Sequence, residues 1–154
     1  MDLDYFMNEA IIEAQKALES GEVPVGAVVV YNGEIIGRGH NYVETSKHAI
    51  KHAEIVAIMQ AEEHLNDWRL DGAYLFTTLE PCIMCAGAII HSRIKTLVYG
   101  AKDTQRGFAG SILNIVDDSI FNHRVEVISG IKEIECSKII NDFFRSRRKS
   151  TNKR

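Results

Sequence analysis

The chain has 154 residues, 45% apolar and 25% charged, with 11 glycines, 2 prolines and a formal net charge of −3. These values describe one domain able to bury its own core, and they exclude collagenous and disordered classes. No apolar run nears the roughly 20 residues of a membrane span, no leader pattern is readable at the start, and three cysteines favour a reducing compartment or a metal site over a disulfide framework.

From Asp4 to Gly21 the pattern is that of an amphipathic helix, with Phe6, Met7, Ala10, Ile11, Ala14, Ala17 and Leu18 at helical spacing. Asp4 is placed to cap its start and Gly21 to end it. Gly26–Tyr31 is a β-branched run, Asn32-Gly33 is a strong hairpin signal, and Glu34–Gly39 is the returning strand. From about Lys51 to Leu65 a helix is apolar on most sides, which calls for packing on each of them. A polar loop, Asn66–Gly72, leads to a strand at Ala73–Thr78, and Pro81 opens a helix running to about Ser92. A strand at Thr96–Gly100 follows, then a long loop to about Ser111, a short helical piece over Ile112–Val116 and a strand at Val125–Ile128. The last helix runs from about Lys132 to Arg148. A hairpin followed by alternating helices and strands predicts a single α/β domain over 1–154. Its expected form is a three-layer sandwich: a mixed five-stranded sheet with helices on both faces.

Charge is unevenly spread. Residues 138–154 carry Lys138, Arg145, Arg147, Arg148, Lys149, Lys153 and Arg154 against Asp142 alone, a balance of +6 that leaves −9 for the first 137 residues. By itself this basic end reads either as a solvated tail or as a contact for a polyanion.

Two short segments carry chemistry: His52-Ala53-Glu54, and Glu80-Pro81-Cys82-Ile83-Met84-Cys85 at a strand-to-helix junction. Cysteines at i and i+3 of a helix are neighbours, about 5–6 Å apart at Cβ. At a helix N-terminus they also face the positive end of the macrodipole, which favours the thiolate. His52 completes three nitrogen and sulfur ligands suited to zinc, one per chain, with the fourth position open as in catalytic sites. In a helix interior, residues i and i+2 point apart, so Glu54 shares this site only if the pair lies in the first turn. The chemistry that follows is hydrolytic deamination of an amidine-like carbon in a nucleobase. Glu54 takes a proton from the water, zinc-bound hydroxide attacks the carbon bearing the amino group, and Glu54 returns protons to the ring nitrogen and the departing ammonia. His-x-Glu paired with Pro-Cys-x-x-Cys is the general signature of zinc nucleobase deaminases.

The chain resembles the bacterial tRNA-specific adenosine deaminases of the cytidine-deaminase-like superfamily, which convert the wobble adenosine of an anticodon to inosine. The likeness runs through Gly21-Glu22-Val23-Pro24-Val25-Gly26-Ala27, Gly39-His40-Asn41, Thr78–Gly87 and His91-Ser92-Arg93-Ile94. It continues through Gly100-Ala101-Lys102-Asp103, Asn122–Val127 and Asp142–Arg148. The metal motif alone identifies the superfamily; the later landmarks narrow it to the tRNA branch. The resemblance implies zinc ligands at His52, Cys82 and Cys85 and a proton shuttle at Glu54. It implies that Asn41 holds the flipped nucleotide, that Asp103 contacts the substrate strand, and that Phe144, Arg145, Arg147 and Arg148 meet the anticodon loop. It further implies a homodimer whose sites are completed across the interface. Where the family usually has proline and threonine before the metal histidine, this chain has Ala49-Ile50. With the cysteine usage, the expected location is the cytoplasm.

Other readings stay open on the residues alone. One is a free guanine or cytosine deaminase of the same superfamily. Another is a non-catalytic, zinc-stapled RNA-binding module, with His48 joining His52, Cys82 and Cys85 in a closed cage. A third is a thioredoxin-like dithiol. The basic end favours RNA, because Phe143 and Phe144 followed by three arginines supply both stacking and phosphate contacts. One of those phenylalanines must pack inward. Cys136, among Ile134, Ile139 and Ile140, reads as a buried structural thiol, His91 and His123 as structural or rim residues, and Trp68 as a packing cap.

Overall fold

The computed structural model describes the backbone of residues 1–152 and the side chains of residues 1–148. Lys153, Arg154 and the Lys149 side chain, part of the basic end, lie outside the described residues. Helix α1 spans Leu3–Glu19, and its N-cap is Asp2 rather than Asp4: the Asp2 carboxylate accepts the Tyr5 N–H at 3.0 Å. Asp4 falls in the first turn instead, where a negative charge still favours the helix end. Strands β1 (Gly26–Tyr31) and β2 (Glu34–His40) form the expected hairpin, with Asn32 and Gly33 both at positive φ. The chain continues through α2 (Val43–Ser46), α3 (Ala53–Leu65), β3 (Tyr74–Leu79), α4 (Ile83–His91), β4 (Thr96–Ala101), β5 (Glu126–Ser129) and α5 (Glu133–Asn152).

The sheet order is β2-β1-β3-β4-β5. β1 is antiparallel to both β2 and β3, while β3, β4 and β5 run parallel, so the sheet is mixed as expected. Alternation along β1 sorts the core into two layers. Val28 and Val30 join Phe6, Met7, Ala10, Phe76, Val98 and Cys136 beneath α1 and α5. Ala27 and Val29 join Ala57, Ala61, Leu75, Ile89 and Leu97 beneath α3 and α4. Helices thus cover both faces, and β4 is buried along its whole length, as a central parallel strand must be. Among the described residues, no helix is long and apolar enough to cross a membrane.

Close approach of α3 to the sheet depends on missing side chains. A Cβ at Gly39 would lie 2.4 Å from the Ala53 carbonyl oxygen, and one at Gly37 would lie 2.2 Å from that of Ala57. The bare stripe lets the first turn of α3 rest directly on the end of β2. Gly100 does the same for Cys136, whose Sγ would be 2.4 Å from a Cβ there. Cys136 is buried as expected, and burial pushes its thiol up to about 12.

Two further local expectations change, and one short helix has no counterpart in the sequence reading. The single turn α2 has no repeating pattern of its own; the buried Glu22 carboxylate caps it from afar, accepting the N–H groups of Glu44 at 3.1 Å and Thr45 at 2.6 Å. Residues 112–116 are not helical: an Ala109–Asn114 bridge and a Gly110-to-Leu113 backbone bond fold the segment as a tight loop. Pro81 precedes α4 rather than occupying its first turn, because Cys82 is the N-cap.

Candidate metal centre and cleft

Helices α3 and α4 aim their N-termini at one point. His52 and Cys82 are their N-cap residues, both in extended backbone (φ −75°, ψ 156° and φ −73°, ψ 177°), and neither side chain caps its helix. Because His52 lies outside the helix, the i and i+2 side chains of His52 and Glu54 no longer diverge. His52 Nδ1 sits 3.6 Å from Cys82 Sγ and 3.6 Å from Cys85 Sγ. The three ligand atoms all lie within 4.8 Å of one another. A tetrahedral ion with usual nitrogen and sulfur bond lengths holds such atoms about 3.6 Å apart, so the donor set is compatible with zinc.

Electrostatics at this point follow from burial and from the two helix ends. The Cys85 side chain and the His52 ring hold the Cys82 thiol down to about 4, while Cys85, which keeps the shared proton, is pushed upward. The Cys82 sulfur in turn raises His52 above its ordinary value. Glu54, buried at 4% exposure and within hydrogen-bonding reach of Cys85, is pushed up to about 7 by desolvation. A carboxyl poised near neutrality can both take and return protons.

The centre opens into a cleft of about 690 Å³. Its lining includes Asn41, His52, Glu54, Cys82, Asp103, Phe144, Arg145 and Arg148, all expected site residues. Cys85 sits behind it, fully buried. Arg147 is elsewhere: its guanidinium donates to the Gly21 carbonyl at 2.7 Å and lies 4.9 Å over the Phe143 ring. Phe143 is half-buried, and Phe144, 43% exposed, is the one at the cleft. His48 is exposed and does not join the ligand group, so the closed cage does not form among the described residues. A simple dithiol leaves His52, equidistant from both sulfurs, unexplained. Ala49-Ile50 does not displace His52, which is held by an N–H bond to the Ile50 carbonyl at 2.8 Å, while Tyr42 donates to Lys51 at 3.0 Å.

The walls of the cleft are tied down by hydrogen bonds that the sequence reading did not anticipate. Asn41 accepts the Val43 N–H at 3.2 Å and donates to the Val23 carbonyl at 3.4 Å, while Glu22 beside it caps α2. On another wall, Glu80 is almost fully buried. Its Oε1 accepts the Asp103 N–H at 3.1 Å and the Ser111 hydroxyl. Its Oε2 accepts the N–H groups of Ala109 at 3.1 Å and Ser111 at 2.9 Å. A Cβ at Gly107 would lie 2.3 Å from this carboxylate, so the loop closes around it only with glycine there. Asp103 Oδ1 in turn accepts the N–H groups of Gln105 and Arg106, and Arg106 also lines the cleft. The signal for Glu22 and Glu80 in the sequence was a lone acid beside apolar or proline residues, with no indication of its distant partners.

Trp68 is 55% exposed, with the Arg69 and Arg93 guanidinium groups 5.4 and 5.9 Å from its ring, and so is flanked by cations rather than buried as a cap. His123 hydrogen-bonds the Ile94 carbonyl at 2.7 Å, the structural role expected for it.

The family model of the MafB19-like deaminases matches residues 1–148. The tRNA-specific adenosine deaminase of Bacillus subtilis (strain 168) is 51% identical over 146 residues, covering 95% of this chain and 91% of the relative. That of Aquifex aeolicus (strain VF5) is 44% identical over 148 residues, covering 96% and 97%. A solved structure from biochemical and structural studies of A-to-I editing by tRNA:A34 deaminases at the wobble position of transfer RNA matches with a TM-score of 0.84. It is 42% identical, and the match covers 88% of this chain and 98% of that one.

Proposed function

The chain belongs to the MafB19-like deaminases and, among them, to the tRNA-specific adenosine deaminases, and from that membership we propose that it hydrolyses adenosine to inosine at the wobble position of a tRNA anticodon loop. The observation that carries this reading is a buried carboxyl, Glu54, beside a three-ligand cluster in a cleft whose lining includes a basic, aromatic helix. His52, Cys82 and Cys85 would hold one zinc ion per chain, which supplies a Lewis acid that makes water acidic enough to yield hydroxide near neutral pH.

Glu54 accepts a proton from the attacking water and delivers it to the ring nitrogen next to the reacting carbon. The C–N bond to the exocyclic amino group then breaks, and Glu54 conveys the second proton to the leaving nitrogen. Adenosine and water thus become inosine and ammonia. Burial suits Glu54 to both directions of transfer. Asn41, buried in the cleft lining, holds the flipped nucleotide, and Asp103 contacts the strand beside it. Phe144, Arg145 and Arg148 on α5 meet the anticodon loop by stacking and by phosphate contacts. Arg147 joins them only by leaving the Gly21 carbonyl. The reading includes a homodimer working in the cytoplasm.

Zinc-loaded protein incubated with total bacterial tRNA, followed by sequencing, tests the assignment. Adenosine read as guanosine at the anticodon wobble position alone is expected. Unchanged RNA, with ammonia released from guanine or cytosine, would replace this reading with a free-base deaminase.

A further inference from the structure

The Asp103–Gly107 turn presents a cation to the cleft that the catalytic scheme does not use. The turn is closed by the Gly107 N–H donating to the Asp103 carbonyl at 2.8 Å, and by Asp103 Oδ1 accepting the Arg106 N–H at 3.0 Å. Glu80 anchors its first residue from below, through the Asp103 N–H. The Arg106 backbone is therefore held in place before any substrate arrives. Its side chain is exposed and lines the same cleft as His52 and Glu54.

Arg106, like Arg148 on α5, lines the cleft with no ion-pair partner among the described residues. Arg145 shares Asp142 with Lys138, and Arg147 is bonded to the Gly21 carbonyl. The acid nearest in sequence, Asp103, has Oδ1 engaged by two backbone N–H groups of its own turn. An unpaired guanidinium beside a metal site has no compensating anion of its own, in a body that is otherwise acidic. The substrate base is uncharged, so the anion that complements this guanidinium belongs to the strand rather than to the base. Guanidinium matches phosphate as a planar, two-pronged donor.

We infer that Arg106 is a phosphate-binding residue of the cleft, taking one backbone phosphate of the bound RNA beside the reacting nucleoside. It supplements α5 from a second element, so that the strand is gripped by the Asp103–Gly107 turn as well as by the C-terminal helix. This assignment rests on the reading of RNA as substrate and adds a contact that the basic C-terminal end does not provide.

The test is direct binding of a synthetic anticodon stem-loop to zinc-loaded wild-type, Arg106→Ala and Arg106→Lys proteins, measured by fluorescence anisotropy over a salt series. Losing one phosphate contact weakens binding about tenfold in Arg106→Ala and reduces the slope of log affinity against log salt by about 1. Arg106→Lys keeps the slope but recovers only part of the affinity, because a point charge replaces a fork. An unchanged slope and affinity in Arg106→Ala, with normal wild-type binding, overturns the Arg106 assignment alone. Wild-type protein that binds no RNA overturns the substrate reading and the assignment with it.

Discussion

Replacing Glu80 with Gln probes what holds the loop from Asp103 to Ser111 against the cleft. The carboxylate accepts four hydrogen bonds, two at each oxygen: the Asp103 N–H and the Ser111 hydroxyl at Oε1, and the Ala109 and Ser111 N–H groups at Oε2. Glutamine keeps one acceptor and turns the other into an NH2 donor. With NH2 at the Oε2 position, two backbone donors face it and both are lost. At the Oε1 position only the Asp103 N–H is lost, because the Ser111 hydroxyl rotates and accepts. Glutamine therefore adopts the second orientation. One stranded backbone donor costs about 1–3 kcal/mol, and the two remaining backbone bonds lose their charge assistance. Cheaper burial of a neutral amide offsets part of this, for a net loss of about 2–3 kcal/mol. In a chain of this length that lowers Tm by roughly 5–10 °C. The damage is local as well as global. Amide exchange accelerates most at Asp103 and less at Ala109 and Ser111, while the helices and strands keep their relative protection. Calorimetry and hydrogen exchange on zinc-loaded protein read both quantities. An unchanged Tm, or acceleration spread evenly over the chain, would refute the view that this carboxylate organises the loop.

Other outcomes follow from the same geometry. Gly39→Ala places a methyl 2.4 Å from the Ala53 carbonyl oxygen and 2.7 Å from the Ala57 nitrogen, forcing α3 off the sheet. Overpacking of this kind costs about 1–3 kcal/mol. Because α3 carries His52 at its start, zinc affinity measured by competition with a chelator falls together with Tm; loss of one without the other contradicts the coupling. Glu13 tests the opposite side of the sheet. Burial pushes its carboxyl up, but bonds from Lys16 at 2.9 Å, His40 at 3.4 Å and Arg38 at 3.2 Å outweigh that and leave it below 4.5. Glu9 also pairs with Arg38, at 2.8 Å. A carboxyl depressed by folding adds stability above its unfolded value and loses it as pH falls through the folded one. The stability gap between wild type and Glu13→Gln is therefore present above about pH 4.5, with His40 adding to it where its ring is protonated, and narrows as pH falls below 4.5. Chemical denaturation at several pH values measures it, and a gap that persists through acid contradicts the depressed value.

Much of the site was legible because its decisive spacings are local. Cys82 and Cys85 stand three apart, and the His52–Glu54 pair demanded a helix start, which the extended backbone of His52 supplies. The strand pattern was equally plain, since alternation along β1 and the Asn32-Gly33 turn are short-range features. What escaped depends on partners distant along the chain. Glu22 caps a turn more than twenty residues away, and Glu80 gathers donors from Asp103 to Ser111, so α2 and the shape of the 112–116 segment had no local signature. The split among the C-terminal arginines was hidden for the same reason. Gly21, at the other end of the chain, takes Arg147 away from the cleft that Arg145 and Arg148 line. The cap falls at Asp2, two residues before the Asp4 expected for it, because an acid at either position begins a plausible turn.

The central claim, that Glu54 moves the protons in a cleft where the metal ligands are His52, Cys82 and Cys85, is tested most directly by Glu54→Ala. Zinc-loaded Glu54→Ala protein is mixed in excess with an anticodon stem-loop, and inosine, bound RNA and zinc per chain are measured in the same samples. The account predicts one zinc per chain, RNA binding within twofold of wild type, and a rate of inosine formation lower by at least roughly 10²-fold. Inosine formed at the wild-type rate, or zinc lost together with activity, would contradict it.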